Sequence, residues 1–183
     1  MMNSLKFGIG LTMLIAFLTA CNSENSTSAT EGSATESTSA SNVKSIEFVD
    51  TQEGKPLVID AALFDTPAAK EFLTTGNNVY IGNEEAIAKG KKVFQLYSCT
   101  QCHGPEAKGQ VGPGLTGPNY KYPKNSTDKG MFETVWHGTN GGMGAKGVGL
   151  MDPTDPKNGI TPDELLKIIA WVRSMGAPAP AAS

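Results

Sequence analysis

Cysteine and histidine are scarce in this chain. Its 183 residues include three cysteines, Cys21, Cys99 and Cys102, and two histidines, His103 and His137. That count excludes a disulfide-rich scaffold, and any metal or redox chemistry must draw on these five side chains. Basic charge is short as well: 15 Lys and Arg stand against 18 Asp and Glu, a formal net charge of -3. There is no basic stripe of the kind that binds nucleic acid, and no nucleic-acid partner is expected. A long apolar run is also missing. The uncharged apolar stretch at residues 7–18 has 12 residues, short of the roughly 20 that a membrane-crossing helix needs. What is plentiful is Gly, at 21, and Pro, at 11, so long loops are expected.

The N-terminus reads as an address. Lys6 precedes the apolar stretch, and Leu18-Thr19-Ala20-Cys21 follows it. This run resembles the lipobox of bacterial lipoproteins. The resemblance implies a signal peptide over residues 1–20 and lipid attachment at Cys21, which would become the mature N-terminus. An ordinary signal peptide with an incidental Cys is the alternative. Asn22, in place of Asp, points to the outer membrane among the membranes of a Gram-negative cell. In residues 22–42, 11 of 21 are Ser or Thr and none is a large apolar residue. Such a segment cannot bury enough surface to offset its ordering entropy. As a flexible linker it spans roughly 25 Å, leaving a folded domain over 43–176 tethered near its membrane, with a loose Ala/Pro-rich tail at 177–183.

Within the folded part, residues 46–49 and 57–59 are apolar and flank Glu53-Gly54-Lys55-Pro56, which predicts a short hairpin or two extended pieces around a turn. Residues 67–73 predict a short helix capped by Thr66. Over 84–97, Ile87, Gly90, Phe94 and Tyr97 recur at helical spacing behind acidic Glu84 and Glu85. Residues 128–137 predict another short helix, anchored by Phe132, Val135 and Trp136. Thr161-Pro162-Asp163-Glu164 is a capping box with Pro at the first helical position. It opens a last helix with Leu165, Ile168, Ile169 and Val172 on one face and Trp171 beside it, ended by Gly176 and Pro178. Residues 104–125 and 138–160, rich in Gly and Pro, predict loops.

The chemistry sits in Cys99-Thr100-Gln101-Cys102-His103. C-x-x-C-H is the pattern of covalent haem attachment. Two thiols one helical turn apart can add to the two vinyl groups of one haem edge, and the next residue, His103, offers iron a ring nitrogen. Three alternatives use the same residues. A thioredoxin-like redox pair would want a βαβ setting. A structural zinc site would need Cys99, Cys102, His103 and His137 together. A plain disulfide is the third.

Residues 84–176 resemble class I cytochromes c: an N-terminal helix, C-x-x-C-H, a Pro-containing loop, a Met in a later loop and a C-terminal helix crossing the first. The resemblance implies an all-α fold, with a short extended or hairpin extension in front and long Gly/Pro loops, around one covalently bound haem c. It implies that Gly90 and Phe94 meet Trp171 at the helix crossing. It also implies that Pro113, in Gly112-Pro113-Gly114-Leu115, orients His103 through its carbonyl. The sixth ligand it implies is Met143, in Asn140-Gly141-Gly142-Met143-Gly144, with Met151 and His137 as the other candidates. Met ligation would raise the reduction potential.

Further short motifs stand in order around the haem pattern: residues 75–80, 109–115, 122–128 and 169–173. Together they resemble the cytochrome c-L family. That family implies an electron carrier and not an enzyme. Its donor would be a quinoprotein methanol or other alcohol dehydrogenase, PQQ-dependent and using calcium or a lanthanide. Its acceptor would be a smaller cytochrome or an oxidase. With the lipobox this implies the periplasmic face of a bacterial membrane. The chain departs from the family in its short tail after the last helix, its long loop at 145–159 and its tether. Three other readings stand beside it: a general tethered cytochrome feeding a terminal oxidase or reductase, a haem peroxidase or gas sensor with an open iron position, and a colourless lipoprotein without haem.

Overall fold

Five α-helices, two short 3-10 turns and one hairpin of two-residue strands make up the regular structure in residues 45–176, the part that the computed structural model describes. The expected signal peptide, the lipid site Cys21, the linker and the 177–183 tail lie outside the described residues. Each main helix starts where the sequence offers a cap. Thr66 accepts from the Ala69 N–H to open α1 (Pro67–Thr75), and Asn83 accepts from Ala86 to open α2 (Glu84–Leu96). A single turn, α3 (Thr100–His103), follows α2 directly. Thr127 caps α4 (Asp128–His137), and the expected capping box forms at α5 (Pro162–Ser174). There Thr161 Oγ1 accepts from the Glu164 N–H, and the Glu164 carboxylate accepts from the Thr161 N–H at 3.0 Å. Two of the free N–H groups at the helix start are thereby satisfied.

The frame of the domain is the crossing of α2 over α5. Gly90 permits it: a Cβ there would stand 1.9 Å from the Lys167 carbonyl oxygen. Phe94 and Trp171 close the crossing with ring centroids 4.6 Å apart and an interplanar angle of 51°. The expected pairing of Gly90 and Phe94 with Trp171 is therefore what the two helices show. A second layer of aromatics lies between α1, α4 and the hairpin. Phe48, Phe64, Phe72 and Phe132 are all buried, and Phe132 stacks on Trp136 at 5.5 Å.

The hairpin is shorter than its apolar pattern suggested. Only β1 (Phe48–Val49) and β2 (Pro56–Leu57) pair, antiparallel. The chain cannot pair further because Asp50 organises the turn, its carboxylate accepting from the N–H groups of Gln52, Glu53 and Lys55. Helix α1 runs two residues beyond the expected 67–73, to where Gly76 at φ +75° ends it in a left-handed cap. The loop expected at 104–125 gives way at its end to a 3-10 turn over Pro123–Ser126, and another covers Ala61–Leu63. The 138–160 segment is irregular but pinned. Gly147 bridges Ile160, and the Lys146 N–H donates to the Val135 and Trp136 carbonyls at 3.1 and 3.2 Å.

The segment before α2 grips the start of α5. Asn78 donates to the Leu166 carbonyl at 2.8 Å, and Thr66 and Tyr80 donate to Asp163 at 2.8 and 2.6 Å. Burial and the Asp163 carboxylate together push the Tyr80 phenol from 10.0 up to about 12. The folded state therefore holds this proton at pH values where the unfolded chain has released it. The associated stability is complete below pH 10.0, falls as pH rises, and is gone above about 12. Tyr80→Phe should flatten that alkaline decline in the urea midpoint. An unchanged slope would mean another group governs it.

Candidate functional site

Helix α2 delivers the chain to the site. Its Phe94 carbonyl accepts from the Cys99 N–H at 3.0 Å, and the Cys99 carbonyl accepts from the His103 N–H at 3.0 Å. Cys99, Cys102 and His103 thus share the beginning and length of one short helix, α3. Both thiols are free, Cys99 half-buried and Cys102 exposed. Burial pushes the Cys99 thiol up, while the charge of Lys146 acts in the opposite sense. His103 is buried.

The following loop folds back on His103. Gly109 donates to the His103 carbonyl at 2.9 Å, and Gly112 donates to the Cys102 carbonyl at 2.7 Å. This brings the Pro113 carbonyl within 2.8 Å of His103 Nδ1. A carbonyl can only accept, so Nδ1 carries the proton and Nε2 keeps its lone pair for a metal. The fit is close. A Cβ on Gly112 would lie 3.1 Å from His103 Cε1 and 3.2 Å from the Cys102 oxygen.

His103 opens onto a cavity of about 400 Å³, whose walls include Pro113, Tyr120, Tyr122, Asn125 and Met143. Met143 reaches it because Thr139 N–H bonds back to the Met143 carbonyl at 2.7 Å, turning the Gly-rich segment after α4 inward. The structure therefore brings His103, Pro113 and Met143 together. Neither Met151 nor His137 lines this cavity. The His137 backbone carbonyl accepts from Gln52, and its Nδ1 is buried with no hydrogen-bond partner among the described residues. No group of three or more His, Cys, Asp or Glu able to hold a metal ion occurs among the described residues.

Sequence reasoning missed the polar wall of the cavity. Asn125 and Tyr120 belong to a Gly/Pro-rich stretch, and their partner Arg173 lies 48 residues after Asn125 and on another element. The only local hint was Arg173 itself, a charged residue next to the apolar face of α5. It also missed Glu133, which is buried on α4.

Two crossing helices, C-x-x-C-H, a Pro-braced His and a Met on the same cavity define a class I c-type cytochrome. In agreement, the cytochrome c family pattern matches residues 87–176. Over 112 residues the chain is 44% identical to cytochrome c-L of Methylorubrum extorquens, covering 61% of this chain. That match spans about half, 51%, of the relative's own length. Among solved structures, cytochrome cL from the marine methylotrophic bacterium Methylophaga aminisulfidivorans is 38% identical with a TM-score of 0.57, covering 70% of this chain and 80% of that one. Cytochrome cL from Hyphomicrobium denitrificans is 38% identical with a TM-score of 0.59, covering 70% and 73%. The chain belongs to the cytochrome c-L family, and its cofactor is one covalently attached haem c. The donor set fits that group: two free thiols one turn apart, an imidazole with its lone pair available and a methionine lining the same cavity.

Proposed function

We propose that this protein carries single electrons from a PQQ-dependent alcohol dehydrogenase, using calcium or a lanthanide, to a smaller cytochrome or an oxidase. Cys99 and Cys102 would hold the haem through thioether links, His103 and Met143 would bind its iron, and Pro113 orients His103. When bound, the haem iron supplies a centre that takes up and returns one electron. The carrying observation is that His103, braced at Nδ1 by Pro113, and Met143 line one cavity. The likeness to cytochrome c-L supports the choice of donor.

The protein's own groups perform simple tasks. Pro113 fixes the imidazole tautomer and its orientation. The Gly-rich turn at 139–143 presents a neutral sulfur. Residues from loops 111–122 and 139–143 line the site, while Val111, at 84% exposure, and Cys102 mark an open edge for a partner's approach. No general acid or nucleophile is required. No helix among the described residues is long and apolar enough to cross a membrane. The reading places the domain on the periplasmic face, held by lipid on Cys21, with the outer membrane favoured by Asn22. Cell fractionation after Cys21→Ser should release it into the soluble periplasm.

Mixing oxidised protein with a quinoprotein dehydrogenase and its alcohol should reduce the haem. Failure to do so with both calcium and lanthanide enzymes removes this donor. Met143→Ala should keep haem attached yet abolish the weak red Met–iron absorption and lower the reduction potential, because a thioether favours the reduced iron. The same loss in Met151→Ala, with Met143→Ala unchanged, would reassign the ligand.

A further inference from the structure

The loop that carries Met143 begins and ends on the last turn of α4. It leaves through Gly138, whose N–H donates to the Thr134 carbonyl at 3.0 Å. It returns through Lys146, whose N–H is shared between the Val135 and Trp136 carbonyls, and through Gly147, whose N–H donates to the Trp136 carbonyl at 3.1 Å. The two limbs touch at Gly138, where a Cβ would stand 2.6 Å from both the Ala145 nitrogen and the Met143 oxygen. The returning limb rests on a ring. A Cβ on Gly147 would lie 2.5, 2.6 and 2.9 Å from Trp136 Cδ2, Cε2 and Cε3, so bare backbone lies flat on the indole. The indole has little room to yield, being 2% exposed and lying at 9° to the Phe132 ring. Beyond Gly147 the limb is stitched down. The Val148 N–H donates to the Ile160 carbonyl at 3.1 Å, and the Ile160 N–H to the Lys146 carbonyl at 2.8 Å. The limb also passes near the haem helix, where the charge of Lys146 acts on the Cys99 thiol.

We infer that Trp136 and Gly147 are positioning residues for Met143: the indole sets the height of the returning limb, and with it how far Met143 enters the cavity it shares with His103. This deepens the reading given above and rests on Met143 as the iron's ligand. Carbon atoms in contact sit about 3.5–4 Å apart, so a methyl on Gly147 must lift the backbone by about 1 Å. Toward the C-terminus the bonds with Ile160 resist that lift. Toward the N-terminus the limb is free to give, because a Cβ on Gly144 meets nothing within 4 Å. The displacement therefore passes through Ala145 and Gly144 to Met143. A thioether holds reduced iron more firmly than oxidised iron, so a withdrawn sulfur is felt first in the oxidised protein.

The test measures imidazole binding to the oxidised, haem-loaded protein, since added imidazole competes with Met143 for its place on the iron. Gly147→Ala should tighten that binding about tenfold or more, the equivalent of about 1.4 kcal/mol of lost sulfur binding. It should also weaken the red Met–iron band and lower the reduction potential. Glu133→Ala is the comparison, because it loosens α4 on the side of the hairpin, where Glu133 accepts from the Val49 N–H. It should lower the urea midpoint and leave imidazole affinity as it was. A purely structural role makes imidazole affinity follow the urea midpoint in both variants. Equal gains in the two, or no gain in Gly147→Ala, overturn the inference. Should Gly147→Ala not fold, Trp136→Phe decides. Its smaller ring withdraws support from the limb, so tighter imidazole binding supports the inference and unchanged binding overturns it. Met143→Ala reports separately on the ligand: if the red band survives there, the ligand reading has failed and the inference falls with it. If the band is lost there but untouched in Gly147→Ala, only the inference falls.

Discussion

Gly90→Ala is expected to destabilise the domain by about 3 kcal/mol or more, the upper end of what overpacking a core contact costs. The added methyl would lie 1.9 Å from the Lys167 oxygen, 2.4 Å from its carbonyl carbon and 2.9 Å from Ile168 N. All three are backbone atoms, so no side chain can swing aside. Relief requires separating α2 from α5, which opens the contact between Phe94 and Trp171. The strain also reaches the site, because the Phe94 carbonyl holds Cys99 at the start of the haem helix. The haem-loaded variant should show a lower urea midpoint and a weakened Met–iron band. Gly144→Ala is the control. A Cβ there meets nothing within 4 Å, and its effect should stay within about 0.5 kcal/mol. Equal midpoints for the two variants would remove the close helix approach as the reason for Gly90.

Glu133→Ala should cost about 3 kcal/mol, the lower end for breaking a buried ion pair by removing one partner. Its side chain is 2% exposed and accepts from Lys124 at 2.7 Å, from Lys129 at 2.6 Å and from the Val49 N–H at 2.8 Å. The lower end applies because both lysines are partly solvated and can turn to water once the carboxylate is gone. What is lost is the tie between α4 and β1. Glu133→Gln keeps an acceptor for Val49 and should lose less. Hydrogen exchange at the Val49 amide reads this directly, with fast exchange expected in the Ala variant and intermediate exchange in the Gln variant. Full protection in both would mean that the hairpin is held by Phe48 packing alone.

Much of the scaffold was legible because its signals are local. The capping box at Thr161 and Glu164, the cap at Thr66 and the helical spacing of Gly90 and Phe94 each involve residues within one or two turns. The haem pattern is local for the same reason, as two thiols and an imidazole must share one helical turn. The hairpin and the 3-10 turn at Pro123–Ser126 were read less well. Short elements carry few residues of pattern, and here Asp50 and Tyr122 impose the turns through hydrogen bonds that composition does not reveal.

The amino-acid order alone determined where the helices start, which thiols and which imidazole form the C-x-x-C-H motif, and that the folded part follows a Ser/Thr-rich segment. Tertiary structure decided which of two methionines shares a cavity with His103. Met143 and Met151 lie in one Gly-rich stretch, and the back-bonded turn at Thr139 and the bonds of Lys146 and Gly147 to Trp136 separate their positions. It also decided that Arg173, on what the sequence offers as the edge of a packing face, ends buried beside Tyr120, Asn125 and Asp128. The physical reason is range: caps and covalent motifs act over a few residues, whereas a cavity wall is assembled by segments that meet only once α2 and α5 have crossed.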